Sequence, residues 1–402
     1  MVSRRTHQNE IVTKNSRKKL GLYCHVPFCA HQCDYCAFYK EEPTAQKIKR
    51  YLECIEAEMK LLNIETPFDT IYIGGGTPGV LTANSFEHLC SSLTQNNISR
   101  EIEEFSVEFS PSTVQKEKIS VLMNFGCNRI TLGVQSFNEK TMKSLGRRQT
   151  LNQVLRAYEN ICLCGIQNIG IDLIFCVPGQ THQEWLEDLR IAVDLQPQHI
   201  STYNLTFEKD TKLTKDLKGN NITKKTEDEE ADFFLETRDF LCRNGYRQYE
   251  VSNYCRPGFE SKHNLNTWKM NDWIGIGPSA CSQYMSKRFS NSCSLEKWES
   301  NIGNNMLSHE NVIDITDKQM AEDRMIFGLR MTDGIDLDEI NANFPKINVD
   351  IIKKFFDSLK ENKLAKINNS HISLTADGLL VADAISVGIL DIMSKQHIKN
   401  IM

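Results

Sequence analysis

No stretch of the 402-residue chain approaches the roughly 18 unbroken apolar residues of a membrane-spanning helix. Large charge of one sign is also missing. Lys and Arg number 47 against 52 Asp and Glu, a formal net charge of −5 with both signs interspersed. That balance excludes a chain that coats nucleic acid along its whole surface. The first twenty residues carry Arg4, Arg5, Lys14, Arg17, Lys18 and Lys19 but no apolar segment of the kind a secretory signal needs. We therefore expect a disordered basic tail over residues 1–19 and a cytoplasmic protein, with a transit peptide as the alternative reading of the tail. What is present is ordinary soluble composition, 40% hydrophobic and 25% charged. It suffices for one large core and a smaller satellite domain.

Cysteine is plentiful, at 14 residues. In a long chain without a signal, clustered cysteines read as metal ligands and scattered ones as small buried apolar residues. Cys54, Cys90, Cys127, Cys162, Cys164, Cys176 and Cys242 fall in helical or strand patterns, and the second reading is expected for nearly all of them. The cluster is different. "YCHVPFCAHQCDYCAFYK", from Tyr23, sets Cys29, Cys33 and Cys36 at the spacing Cys-x3-Cys-x2-Cys. Three thiolates in one short loop can hold three irons of a 4Fe–4S cluster and leave the fourth iron open to a small molecule. Zinc is the competing metal, with His25 or His31 as fourth ligand. Zinc modules, however, come as two Cys-x2-Cys halves, and only one short cluster is present. Cys24 lies outside the spacing and is left out of the site.

From Gly21 to about residue 207, short apolar runs alternate with amphipathic stretches. The runs are Gly21–Val26, Thr70–Ile73, Glu104–Phe109, Arg129–Val134, Gly170–Val177 and His199–Thr206. Helices are expected near 45–63, 81–94, 113–124, 151–164 and 181–194, the last opened by a Thr181/Glu184 capping box. Such alternation implies a parallel sheet with right-handed crossovers. Six units make a partial (β/α)6 barrel; an open doubly wound sheet is the alternative. The strand ends favour the barrel. Gly74-Gly75-Gly76-Thr77-Pro78, Glu108, Gln135, Asp172 and Thr206 all fall at or near C-terminal strand ends, as in a barrel with one active face. "GGGTPG" also matches a dinucleotide fingerprint, but it follows the second strand and lacks an acidic strand end about twenty residues on.

Residues 207–224 read as a lysine-rich surface connection, followed by a helix near 225–244 and a strand over Arg247–Ser252. A loop is expected from Asn253 to Asp272. From about 317 the pattern is helix, turn, helix, then a hairpin across Asn368-Asn369, a winged-helix-like domain read as packing or lid rather than DNA-binding. The expected domains are the barrel over 20–245, a linking region over 246–316 and the C-terminal domain over 317–402.

Cys-x3-Cys-x-aromatic-Cys, with Tyr35 as the aromatic, after the first strand of a partial barrel resembles the radical S-adenosylmethionine (SAM) superfamily. "GGGTP", "GVQSFNEKTMKSLGR", "IDLIFCVPGQT" and "YEVSNYCRPG" narrow the resemblance. Together these motifs are similar to oxygen-independent coproporphyrinogen III oxidases and their haem-chaperone relatives of the HemW type, over about residues 20–390. The resemblance implies a 4Fe–4S cluster and a SAM site of Tyr23, Gly75, Gly76, Thr77, Glu108, Gln135, Arg147 and Asp172. The oxidases carry a fourth cysteine where this chain has Phe38, which points to the chaperone branch. The chaperones carry a His-Asn-x-x-Tyr-Trp motif associated with haem. Here "HNLNTW" runs from His263 to Trp268, with Thr267 in place of the tyrosine, and His263 and Trp268 are the expected haem residues. The implied function is haem binding and transfer to an acceptor protein. That acceptor can lie at the membrane, although the chain has no span of its own. A flavodoxin or ferredoxin would supply electrons, and nucleic acid is not a partner. The alternative is oxidative decarboxylation of coproporphyrinogen III, a dehydrogenase activity.

Overall fold

The computed structural model describes residues 19–97 and 101–399, without the side chains of 395–399. The basic tail expected over 1–19 lies outside the described residues except for Lys19. The barrel elements follow in order: β1 (Leu20–Val26), α1 (Ala45–Leu62), β2 (Thr70–Gly75), α2 (Ala83–Thr94), β3 (Glu104–Phe109) and α3 (Lys116–Asn124). Next come β4 (Arg129–Gln135), α4 (Glu139–Ser144), α5 (Leu151–Leu163), β5 (Asn168–Phe175), α6 (His182–Asp194) and β6 (His199–Asn204). Strands β1 to β6 pair in parallel in chain order. The six expected runs are thus six neighbouring strands, and the sheet is not closed.

Two faces explain the pattern of each strand. In β1, Leu22, Cys24 and Val26 are fully buried. The Cys24 sulfur lies 3.4 Å from the Tyr51 hydroxyl on α1, so this face packs on the helices. The alternate residues Gly21, Tyr23 and His25 face the barrel lumen, as period-two geometry requires. Capping boxes open α5 (Thr150/Gln153) and α6 (Thr181/Glu184), the second as expected.

After β6 come α7 (Lys212–Lys218), α8 (Glu227–Arg243), β7 (Arg247–Gln248), β8 (Asn253–Cys255), α9 (Lys262–Trp268), β9 (Asp272–Ile276), β10 (Cys281–Tyr284), β11 (Lys287–Asn291), α10 (Leu295–Gly303) and β12 (His309–Asp314). The sheet extends beyond the six strands on both sides. β9 joins β1 in parallel and carries β10, β11 and β12, while β8 joins β6 antiparallel. These additions are strands of two to six residues, too short to carry a strong hydrophobic period.

The Asn253–Asp272 stretch, expected as a loop, contains helix α9. Its N-terminus is held by one buried carboxylate. Glu104 accepts from the Lys262 amide (2.9 Å), the His263 amide (3.1 Å) and the Ser261 hydroxyl (3.2 Å). Two orphan amides of the helix start and the N-cap hydroxyl thereby find one acceptor inside the barrel. The helix closes the end of the lumen at which β1 and β2 begin.

The C-terminal part comprises α11 (Asp317–Gly328), β13 (Ile335–Asp336), α12 (Leu337–Asn343), α13 (Val349–Glu361), β14 (Ala365–Asn368), β15 (His371–Leu374), α14 (Ala376–Leu380) and α15 (Ala382–Lys399). β14 and β15 form the hairpin expected across Asn368-Asn369, and Asn369 takes the left-handed conformation at φ 58°. β13 adds a third strand beside β15. No helix among the described residues is long and apolar enough to cross a membrane.

Candidate functional site

The C-terminal ends of β1 to β6 surround a cavity of about 740 Å³. That size suits a small-molecule cofactor with room beside it. The wall includes Cys29, Cys33, Cys36, Gly75, Gly76, Thr77, Glu108, Gln135, Arg147 and Asp172. These residues span more than 140 positions of sequence and meet in one place. Tyr23, His263 and Trp268 are not on this wall.

The cysteine loop between β1 and α1 is held from three directions. The Cys29 amide donates to the Glu41 carbonyl (3.0 Å), which folds the loop on itself. The Thr77 amide donates to the Phe28 carbonyl (2.8 Å), which ties it to the β2 turn. The Leu213 amide donates to the Asp34 carbonyl (2.9 Å), and Lys212 pairs with the Asp34 carboxylate at 2.5 Å, which ties it to α7. Gly76 permits the closest of these approaches. A Cβ there would stand 2.7 Å from the Phe28 carbonyl oxygen and 3.1 Å from the Cys29 sulfur.

All three thiols are free and partly exposed to the cavity. Cys29 lies 3.4 Å from the Thr77 hydroxyl, and Arg147 Nη1 points at the Cys33 sulfur from 3.6 Å. Burial pushes the Cys29 thiol up from its ordinary pKa. Metal ligation needs the thiolate, and a neighbouring guanidinium favours that form. The two histidines weighed as fourth ligands are engaged elsewhere. His25 Nε2 donates to the Tyr39 carbonyl (3.3 Å), and its Nδ1 accepts from the Tyr23 hydroxyl (3.0 Å). His31 Nε2 donates to the Gly146 carbonyl (2.9 Å). Cys24 faces α1 on the opposite side of the strand, and burial raises its thiol to about 12.

Two carboxylates share the cavity wall with the cysteines. Burial pushes Glu108 up to about 7, opposed by the Tyr72 hydroxyl, which donates to Glu108 Oε1 at 2.6 Å. Burial likewise pushes Asp172 up to about 6, opposed by Ser201 and by the Arg129 charge. One Asp172 oxygen and the Arg147 Nε are buried with no hydrogen-bond partner. Buried polar atoms on a cavity wall without partners are the mark of a site shaped for a polar ligand. Gln135 closes β4 at φ 72°, where the β4/β5 register shifts. The strained backbone bends the strand end at the cavity wall.

The free thiols, the guanidinium beside them and the unpartnered carboxylate oxygen fit an iron–sulfur cluster with a bound amino-acid derivative. Comparison with known proteins agrees. The model of the radical SAM superfamily matches residues 23–192, and that of the HemN C-terminal domain matches residues 315–381. A curated relative, the heme chaperone HemW of Lactococcus lactis, is 34% identical over 362 residues, covering 90% of this chain and 95% of that protein. This chain belongs to the HemW family of radical SAM proteins. HemW of Bacillus subtilis is 28% identical, covering 91% of this chain and 97% of its own length. The solved structure of coproporphyrinogen III oxidase (HemN) from Escherichia coli superposes with a TM-score of 0.80 at 22% identity, covering 92% of this chain and 90% of that one, which establishes the fold. Membership of the radical SAM superfamily implies a 4Fe–4S cluster and SAM.

Two parts of the site need separate comment. Phe38 stands on the cavity rim and is 70% exposed. The His263–Trp268 stretch, expected as a haem-binding loop, lies instead in the helix α9. His263 is 7% exposed, and its Nδ1 is hydrogen-bonded to the Thr70 hydroxyl (2.9 Å) inside the barrel base. Burial lowers its pKa to about 4 and keeps the ring neutral. Trp268 packs on Phe327 of α11 at 6.0 Å between ring centres and under the Arg330 guanidinium at 5.2 Å. Tyr23 stands in the lumen beside Tyr72, 6.2 Å between ring centres. Sequence reasoning missed Tyr72 and Glu104. The alternation Thr70, Tyr72, Gly74 on β2 marks Tyr72 as lumen-facing; nothing local marks Glu104 as the cap of a helix more than 150 residues away.

Proposed function

We propose that this chain is a haem chaperone built on a radical SAM scaffold, which binds haem and passes it to an acceptor protein. The observation that carries the reading is the likeness to HemW of Lactococcus lactis along 95% of that protein's length. Phe38 agrees with it, because the position next to the triad offers a ring and no fourth thiolate. Cys29, Cys33 and Cys36 would hold the 4Fe–4S cluster, with SAM on its open iron. Gly75, Gly76, Thr77, Glu108, Gln135, Arg147 and Asp172 would bind SAM, and Tyr23 would support the site from the lumen. The cluster and SAM supply one-electron reductive chemistry when bound. The residues of the chain orient them and keep the cavity polar. A cytoplasmic location, an electron donor of the flavodoxin or ferredoxin kind and an unnamed haem acceptor complete the reading.

His263 and Trp268 are proposed as the haem-binding stretch. Iron reaches the His263 imidazole only if α9 withdraws from the barrel base and gives up the Thr70 hydrogen bond and those to Glu104.

The decisive experiment is anaerobic incubation of reconstituted protein with coproporphyrinogen III, SAM and reductant, beside a haem titration. The expected result is a stoichiometric haem spectrum and no protoporphyrinogen. Turnover of coproporphyrinogen III would assign the chain to the oxidases instead. An unchanged haem spectrum in His263→Ala would move the iron ligand to another residue.

A further inference from the structure

We propose that Tyr72 is a positioning residue for Glu108, holding the carboxylate in the orientation and charge state that bind SAM. The proposal rests on the SAM reading of the cavity given above. Tyr72 is not on the cavity wall, so it acts through Glu108 rather than on the ligand. Its hydroxyl donates to Glu108 Oε1 at 2.6 Å, a short bond typical of a charged acceptor. Gly74 makes room for the pair. A Cβ there would stand 3.0 Å from the Tyr72 ring and 3.1 Å from the Glu108 carboxyl carbon.

The tyrosine ring is itself fixed from below. The His263 ring lies 5.1 Å away at 31°. His263 in turn is anchored to Thr70 on the same strand. Tyr23 flanks Tyr72 on the β1 side, but its hydroxyl is spent on His25. The column His263–Tyr72–Glu108 therefore runs from the helix that closes the barrel base to the cavity at the other end.

The groups around Glu108 explain why a donor is needed. Tyr23 on β1, Asp172 on β5 and Tyr203 on β6 act on Glu108, and none of them is cationic; Arg147 and Arg148 line the same cavity from the segment after β4, where Arg147 is turned to the Cys33 sulfur and the Gly133 carbonyl. Burial and the Asp172 charge both disfavour the Glu108 carboxylate. The Tyr72 hydroxyl and the Gly75 amide oppose them. An ionised carboxylate is the form that accepts hydrogen bonds from ribose hydroxyls or an amino group. Removing the Tyr72 hydroxyl should move the rise in SAM affinity to higher pH.

The test is SAM affinity of the cluster-reconstituted protein between pH 6 and 9, for wild type, Tyr72→Phe and Glu108→Gln. Tyr72→Phe keeps the ring against His263 and deletes only the hydroxyl. Its affinity midpoint is expected to move up by about one pH unit, the effect of one hydrogen bond to a charged group. Iron content should match wild type. A uniform loss of affinity at every pH, or no change, would overturn the proposal. If Tyr72→Phe fails to load a cluster, 3-fluorotyrosine at position 72 replaces it. That more acidic phenol is expected to move the midpoint down, and an unmoved midpoint overturns the proposal equally. Glu108→Gln separates the two levels. Loss of the pH dependence in Glu108→Gln with none of the expected shift at position 72 sinks only the role of Tyr72. Unaltered SAM binding in Glu108→Gln at every pH sinks the SAM reading itself.

Discussion

At the scale of single residues, the cavity depends on atoms that are missing as much as on those present. Gly76 lets the Phe28 carbonyl and the Cys29 sulfur approach the β2 turn. Gly76→Ala therefore pushes the cysteine loop outward, at about 1–3 kcal/mol for an overpacked contact. We expect lower iron content per chain after anaerobic reconstitution; full iron loading would show that the turn can shift freely. Asp172 tests another part of the wall. Its unpartnered oxygen has no structural task, so Asp172→Asn should leave iron content unchanged. SAM affinity should fall about tenfold or more, the loss of one charge-assisted hydrogen bond. Equal SAM binding by wild type and variant would remove Asp172 from the site.

At the scale of elements, two buried glutamates join parts distant in sequence. Glu104 of β3 caps α9, and Glu104→Ala strands three donors at the barrel base. A fall in stability of about 2–4 kcal/mol is expected from thermal or denaturant unfolding. Glu58 of α1 accepts from the Gly277 amide (2.8 Å) and the Asn291 side chain (2.6 Å), and so fastens the β9–β11 extension to the barrel. Burial pushes Glu58 up to about 7 from 4.5. A raised folded pKa means the folded state holds the proton more tightly. That contribution is full below about pH 4.5 and is lost as pH rises through about 7. Glu58→Gln removes the titration. The stability of wild type relative to the variant should therefore decline from pH 4.5 to 8, seen as a changing difference in melting temperature. A constant difference across that range would mean Glu58 does not titrate there.

At the scale of the whole molecule, α9 is the joint between the barrel and the C-terminal part. His263 and Asn266 point into the lumen, while Trp268 meets Phe327 and Arg330. Further contacts cross nearby: Thr332 donates to the Gln248 carbonyl (3.0 Å), and Arg247 pairs with Asp333 at 2.5 Å. Trp268→Ala should loosen this joint and speed proteolysis between the two parts. It should leave SAM affinity intact, because the cavity is at the other end of the barrel. Loss of SAM binding in that variant would show that the two ends are coupled more tightly than the geometry implies.

Much of this was legible in the chain alone. Six parallel strands, their helices and the cysteine triad were readable because each rests on local periodicity or on spacing within one short loop. The convergence of Gly75, Glu108, Gln135 and Asp172 was readable too, since parallel strands joined by right-handed crossovers must place their C-terminal ends together. The sheet extension by β8 to β12, the helix within Asn253–Asp272 and the burial of His263 were not. Their strands are too short to show a period, and α9 is only seven residues long, too short to be helical on its own. It forms because Glu104 of a distant strand takes up its first amides and because the barrel base has room for His263 and Asn266. Local sequence thus determined which residues line the cavity and at which end of the barrel they gather. Long-range hydrogen bonding and packing alone decided that "HNLNTW" closes the other end.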